Sequence, residues 1–171
     1  MRPKYVRTDY AISKARALRK SCKIEGPSVN IEDVIRSSGI MLKYVFDLEC
    51  PTAVRVDGRY MILIPPTNCE PYDYWSLGHE FGHIYLLHCE TYPVDRIVMG
   101  TYVELLTHEE ISILEQECDV FVSEFLMPEE WVHRLISYPV SEQVIKEMKN
   151  AFRVSLDDMI KRLDQLGLLR K

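Results

Sequence analysis

The spacing of apolar and polar residues predicts a chain made mainly of helices. Apolar positions recur every three or four residues in several segments, as one buried helix face requires. Asn30, Thr107, Ser141 and Ser155 stand where helix-capping residues are expected, and Thr107 with Glu110 forms a capping box. The predicted helices cover residues 9–24, 31–38, 72–88, 107–127, 142–152 and 156–166.

Short apolar runs between these helices predict strands at 40–46, 53–56 and 60–64. Asp57 and Gly58 separate the last two, and this dipeptide favours a tight β-hairpin. The fold class expected is therefore α+β, with a small mixed sheet packed against helices. Strand 60–64 has two interpretations: a sheet edge that pairs with an extended substrate, or an ordinary core strand.

The composition narrows the class of protein. With 171 residues, 47% of them hydrophobic, the chain can close one core. We expect one main domain over 1–137 and a helical pair over 138–171. The sequence has neither a long apolar run nor a secretory signal, which favours a cytoplasmic protein without a membrane partner. The five cysteines form no C-x-x-C pair, so we expect reduced, mostly buried thiols.

Charge is distributed unevenly along the chain. Residues 1–25 carry a net charge of +6 and residues 140–171 carry +2, which leaves −13 on the middle of the chain. The basic start could meet nucleic acid or an acidic protein, but a solvated helix face is the more common explanation. The last two helices could form a DNA-binding helix-turn-helix, but their weak charge favours a docking or structural pair. Direct nucleic-acid binding is not expected.

The strongest chemical signal is His79-Glu80-Phe81-Gly82-His83, an HExxH motif. On a helix the two histidines share one face and can bind the same metal ion, zinc by preference and manganese as an alternative. Glu80 stands beside that face, where a general base for hydrolysis is needed. His88 falls on the opposite face of the predicted helix, so we expect a surface or second-layer histidine and no metal ligand.

A third metal ligand is expected, because catalytic zinc sites commonly have three protein ligands. Glu115 is the charged residue within the apolar stripe of helix 107–127, and Glu117 and Glu124 are expected to point to water. A buried carboxylate needs a partner. That partner is the metal in our preferred interpretation and an arginine such as Arg55 in the other. Asp119, one turn later, is expected to orient a zinc-bound histidine.

Two segments resemble the ImmA/IrrE family of zinc metallopeptidases. Residues 115–128, EQECDVFVSEFLMP, are similar to that family's E-x-x-A-[ND]-x-F-A-x-x-L-L-M-P signature, and residues 75–83 are similar to the segment that carries HExxGH. The tail, at 152–155 and 162–169, is similar to the closing helices of the family. Cys118 and Val122 stand where alanine is usual.

The resemblance implies a zincin-like metallopeptidase domain with His79, His83 and Glu115 as metal ligands and Glu80 as catalytic base. It also implies a function: cleavage of a helix-turn-helix repressor of the Xre type in a phage, mobile element or stress response, which relieves repression. The alternative is a non-catalytic anti-repressor that sequesters its repressor and uses the metal for its fold.

Overall fold

The computed structural model describes residues 2–48, 51–66, 70–92, 96–98, 101–102 and 106–169, with the side chains of 56, 70–73, 96–98 and 101–102 left out. Pairs of helices are separated by groups of strands up to Tyr102, and the elements described after it are all helices. The elements are α1 (Thr8–Ser21), α2 (Ile31–Ser37), β1 (Met41–Tyr44), β2 (Thr52–Val56), β3 (Arg59–Ile64), α3 (Glu70–Tyr85), α4 (His88–Thr91), β4 (Arg96–Val98), β5 (Thr101–Tyr102), α5 (His108–Leu126), α6 (Glu129–Leu135), α7 (Glu142–Phe152) and α8 (Leu156–Gln165).

The five described strands form one mixed sheet in the order β1-β3-β2-β4-β5. β1 is parallel to β3, and the other pairs are antiparallel. The expected α+β class is confirmed. Because β3 lies between β1 and β2, the edge-strand interpretation of residues 60–64 is wrong and the core-strand interpretation is right. The hairpin at Asp57 and Gly58 is present, and both residues have positive φ, as a type I′ turn requires.

The predicted helix over 72–88 ends earlier than expected. α3 stops at Tyr85, and Leu87 adopts the left-handed conformation with φ 60° and ψ 36°. A left-handed leucine is uncommon because its side chain crowds the backbone. The turn starts the separate helix α4 at His88. α4, α6, β4 and β5 were not predicted from the sequence.

The core lies between the sheet and the crossed helices α3 and α5. Phe81, Phe121 and Phe125 are fully buried there, with ring centroids 5.7 to 6.4 Å apart. Glycines on α3 let the two helices approach closely. A Cβ on Gly78 would lie 2.6 Å from Val122 Cγ2, and one on Gly82 would lie 3.1 Å from the ring of Phe121.

Replacing Gly78 with alanine is therefore expected to destabilise the protein by about 1 kcal/mol, although alanine is the better helix former. The added methyl group collides with Val122, whose branched side chain cannot swing away. The Gly78→Ala, Val122→Ala double variant removes the collision. Its stability should therefore be close to that of Val122→Ala alone. Urea unfolding of the four proteins measures this coupling, and additive effects would contradict it.

A row of ion pairs joins α1 and the segment before it to α5. Arg2 Nη1 lies 2.6 Å from Glu110 Oε2, Arg7 Nη2 lies 2.7 Å from Glu117 Oε2, and Arg16 Nε lies 2.7 Å from Glu124 Oε1. The three glutamates are spaced seven residues apart, so they share one face of α5. Glu117 and Glu124 are buried, and the prediction that they point to water was wrong.

The solvated-face interpretation of the basic start is also incomplete, because much of its charge is used within the chain. Arg19 is buried, donates from Nη1 to the carbonyl oxygen of Phe125 at 2.7 Å, and donates from Nη2 to that of Gly26. Together with the pairs along α5, these bonds hold α1 against the rest of the domain.

The terminal helices α7 and α8 pack against the same core. Arg162 of α8 is 7% exposed, pairs with Glu124, and donates from Nε to the carbonyl oxygen of Met127 at 2.9 Å. The docking or structural role expected for this pair remains a prediction. The division of the chain into 1–137 and 138–171 remains a prediction.

Two other expectations can be compared with the structure. None of the described helices is long and apolar enough to cross a membrane. Cys118 is buried and Cys22 and Cys89 are half-buried, whereas Cys50 and Cys69 lie outside the described residues.

Candidate metal centre

α3 presents the HExxH residues on its buried side. His83 and Glu80 are fully buried, and His79 is 6% exposed. The two imidazole rings project from successive turns of the helix, and their Nε2 atoms lie 3.2 Å apart. The helical spacing anticipated from the sequence thus brings both nitrogens to one point.

α5 brings Glu115 to the same point. Its Oε2 lies 3.0 Å from His79 Nε2, and its Oε1 lies 3.5 Å from His83 Nε2. Ligands at about 2.1 Å from a tetrahedral zinc ion are separated from one another by about 3.4 Å. The three donors therefore have the spacing of a metal site with one open position. The metal-ligand role of Glu115 and the alternative of an arginine partner both remain predictions.

Cys118 is a second candidate for the third donor. His79, His83 and Cys118 offer ligand atoms that lie within 4.8 Å of one another, so this buried group could also hold a metal ion. Burial, and then the nearby Glu115 carboxylate, raise the pKa of the Cys118 thiol well above its ordinary value. A thiol held in its protonated form is a poor ligand. We favour Glu115, because its oxygens lie 3.0 Å from His79 Nε2 and 3.5 Å from His83 Nε2, and because it carries a charge that the metal would balance.

Asp119 lies on the other side of His79, as the sequence suggested. Its Oδ1 is 3.2 Å from His79 Nδ1, and its side chain is half-exposed. Burial alone would lower the pKa of His79, but the hydrogen bonds to Asp119 and Glu115 outweigh it and raise the pKa to about 10. Metal-free His79 is therefore an imidazolium held between two carboxylates, and a metal ion at Nε2 must displace a proton.

Zinc binding at pH 8 is accordingly expected to release at least about one proton per chain, because His79 is still protonated there. Apparent zinc affinity should rise with pH up to about the pKa of His79, since proton and metal compete for Nε2. Calorimetric titrations in two buffers with different ionisation enthalpies count the protons released. Asp119→Asn removes one of the charges that raise the pKa and should release fewer. Equal numbers from both proteins would contradict this assignment.

Glu80 lies beside the donor group but points to the sheet. Its Oε2 accepts a hydrogen bond of 2.7 Å from the backbone N–H of Ala53 on β2. Its Oε1 is buried and has no hydrogen-bond partner among the described residues. Burial raises the pKa of Glu80 to about 7, against the opposing effects of His79 and the Ala53 N–H. One carboxylate oxygen is thus anchored while the other is left available in a buried position.

Sequence reasoning missed two groups behind the site. His88 is fully buried, with Nδ1 at 3.1 Å from His83 Nδ1 and Nε2 at 3.2 Å from Glu117 Oε2. Placing His88 on the far face of α3 was wrong, because the left-handed turn at Leu87 brings it back toward His83. The expectation of a second-layer histidine agrees with this position.

Glu117 links this histidine to the start of the chain. Burial alone would raise its pKa, but hydrogen bonds from His88 and Arg7 outweigh burial and hold the pKa at about 2. Burial lowers the pKa of His88, so that His88 is neutral. The sequence held one signal for this contact: glutamates recur every seven residues along α5, and the first segment of the chain is basic.

Comparisons with known proteins agree with this architecture. The family model described as Peptidase_M78, IrrE N-terminal-like domain, matches residues 28–164. Among solved structures, a Mycobacterium tuberculosis transcriptional regulator is similar to 94% of this chain and 48% of that chain, with 15% sequence identity and a TM-score of 0.64. That likeness concerns the fold, and this chain spans about half the length of the regulator. Among curated proteins, none matches.

Proposed function

Because the chain belongs to the Peptidase_M78 family of IrrE N-terminal-like domains, we propose that it is a zinc-dependent endopeptidase. Its proposed substrate is a helix-turn-helix repressor of the Xre type, whose cleavage relieves repression in a phage, mobile-element or stress-response system. In this proposal His79, His83 and Glu115 hold the metal and Glu80 is the catalytic base. Such a role places the protein in the cytoplasm.

The observation that carries the proposal is the state of Glu80. A buried carboxylate oxygen without a partner costs free energy, and a fold that needs the metal only for stability gains nothing from it. A hydrolase needs such an oxygen, because a water molecule must lose its proton during the attack on a peptide carbonyl. A pKa near 7 suits this task, since the group can both accept and return a proton at neutral pH.

Each residue has a defined part in the proposed reaction. The Ala53 N–H fixes Glu80 Oε2, so that Oε1 is the oxygen that accepts the proton. Asp119 accepts from His79 Nδ1 and keeps Nε2 directed at the donor group. The surrounding core excludes bulk water, and the proton taken by Glu80 can return to the leaving amine. When bound, zinc would lower the pKa of the attacking water and polarise the scissile carbonyl.

Two likenesses support the proposed substrate class. The family resemblance of residues 75–83 and 115–128 suggests a repressor, and the structurally similar protein is named as a transcriptional regulator. Zinc is preferred to manganese because two imidazoles and one carboxylate, spaced for a tetrahedron, suit zinc.

A survey of new protein amino termini tests the proposal against sequestration of the repressor. Cells producing the wild type are compared with cells producing Glu80→Gln at equal amounts and equal zinc content. A terminus within a helix-turn-helix protein that appears only with the wild type is expected. If both variants co-purify the same repressor and no terminus differs, the peptidase proposal fails and sequestration replaces it.

A further inference from the structure

A continuous series of buried hydrogen-bonding groups runs from the donor group to the start of the chain. His83 Nδ1 lies 3.1 Å from His88 Nδ1, and His88 Nε2 lies 3.2 Å from Glu117 Oε2. Glu117 accepts four hydrogen bonds of 2.7 to 3.1 Å from Arg7, one from its backbone N–H and three from its guanidinium group. His83, His88 and Glu117 are fully buried.

The chemistry of these groups fixes the direction of every hydrogen bond. Arg7 has only donors to offer, so the Glu117 carboxylate accepts throughout. His88 must then donate to Glu117 from Nε2–H, which leaves its Nδ1 as an acceptor. His83 must therefore carry its proton on Nδ1 and donate it to His88. The lone pair of His83 is left on Nε2, the atom that faces His79 and Glu115.

We propose that Arg7, Glu117 and His88 are positioning residues that hold His83 as its Nδ1–H tautomer, so that the segment before α1 contributes to metal affinity. The inference deepens the proposed function by naming the support behind one of its metal ligands. Partners of this kind fix ring orientation and raise the basicity of a metal-bound histidine. His88 contacts His83 at Nδ1, the ring nitrogen that does not face the donor group.

The structure holds each member of this series in place. Arg7 immediately precedes α1, and its guanidinium group lies over the rings of Tyr10 and Tyr92 at 4.7 and 5.8 Å. The left-handed conformation of Leu87 directs His88 inward. The left-handed conformation costs free energy and persists only where surrounding contacts stabilise it. The buried contacts of His88 stabilise it here.

The first test reads the tautomers in the metal-free protein. Two-bond ¹H–¹⁵N correlation spectra of the full chain labelled in histidine distinguish a proton on Nδ1 from one on Nε2. His83 is expected to be the Nδ1–H form and His88 the Nε2–H form. In His88→Phe the acceptor is lost, and His83 should become a mixture of tautomers. Finding His83 as Nε2–H in the wild type would overturn the proposal.

The second test measures zinc affinity by competition with a chromophoric chelator, using zinc alone as the probe. His88→Phe and Glu117→Gln are expected to weaken binding by about 10-fold to 100-fold, as the loss of such partners typically does. The side chain of Arg7 is partly exposed, so its replacement threatens the fold less. Arg7→Gln should also weaken zinc binding. Arg2→Gln is the matched control, because Arg2 pairs with α5 in the same row but reaches no histidine.

The outcomes separate this inference from the proposed function. Arg7→Gln that remains folded and binds zinc as tightly as Arg2→Gln would overturn the positioning role, whether or not the wild type cleaves a repressor. Affinity that depends on Arg7 in a protein that cleaves nothing would leave the positioning role supported and the peptidase proposal refuted. Arg7→Lys keeps the charge and should recover part of the affinity, which a loss of packing alone would not explain.

Discussion

The Glu80→Gln protein is expected to bind zinc as the wild type does and to cleave its substrate about 10² to 10⁴ times more slowly, the range for loss of a general base. Glutamine preserves the size of the side chain, and its amide oxygen can still accept from the Ala53 N–H. What disappears is the ability of the free oxygen to take a proton. The loss should fall on kcat, because Glu80 acts in the chemical step.

Cleavage of the substrate identified in cells, followed with purified proteins of equal metal content, measures this effect. Glu80→Asp is a useful companion, because it retains a carboxylate but withdraws it from the position that Ala53 fixes. We expect an intermediate rate from it. A Glu80→Gln protein that cleaves at the wild-type rate would exclude Glu80 as the base.

Glu124→Ala is expected to cost about 3 to 5 kcal/mol of folding free energy, as breaking a buried ion pair does. Glu124 is 2% exposed and is shared by Arg16 of α1 and Arg162 of α8. Removing it leaves the buried guanidinium group of Arg162 with its bond to the Met127 carbonyl but without a counter-charge. One substitution therefore loosens both ends of the chain from α5.

Denaturant unfolding of Glu124→Ala beside Glu129→Ala measures this effect. Glu129 also pairs with Arg16, but it is 45% exposed, and we expect its removal to cost less than about 1 kcal/mol. Similar losses from the two substitutions would contradict the account. Replacing Glu124 and Arg162 together with methionines should be far less harmful than Glu124→Ala, because the buried charge of Arg162 is removed together with its partner.

The parts that could be predicted from the sequence are those that depend on local spacing. His79 and His83 share a helix face because of helical periodicity, and Glu115 stood out as a charge within an apolar stripe. The capping box of Thr107 and Glu110 formed as predicted, because its two hydrogen bonds involve neighbours in sequence. The structure brings the expected site residues together, while their roles remain proposals.

The parts that could not be predicted depend on contacts between distant segments. Nothing around Leu87 indicates a break, because leucine favours helices, and the turn is stabilised by the burial of His88 against α5. Glu117 and Glu124 were misjudged because α5 was assumed to have one buried face. It has two, since α3 covers one and α1 covers the other. The strand order could not be predicted either, because β1 pairs with β3, which is not the next strand in sequence.

The ion pairs that join α1 and the segment before it to α5 limit how the protein can be truncated. The family match begins at residue 28, after α1 has ended. A fragment that begins there would lack Arg7 and Arg16. Glu117 and Glu124 would then lie on an exposed face of α5. The apolar side chains of Ala11, Ala15 and Leu18 would be missing from the core as well. We therefore expect that a stably folded fragment must begin before residue 28, where the family match starts.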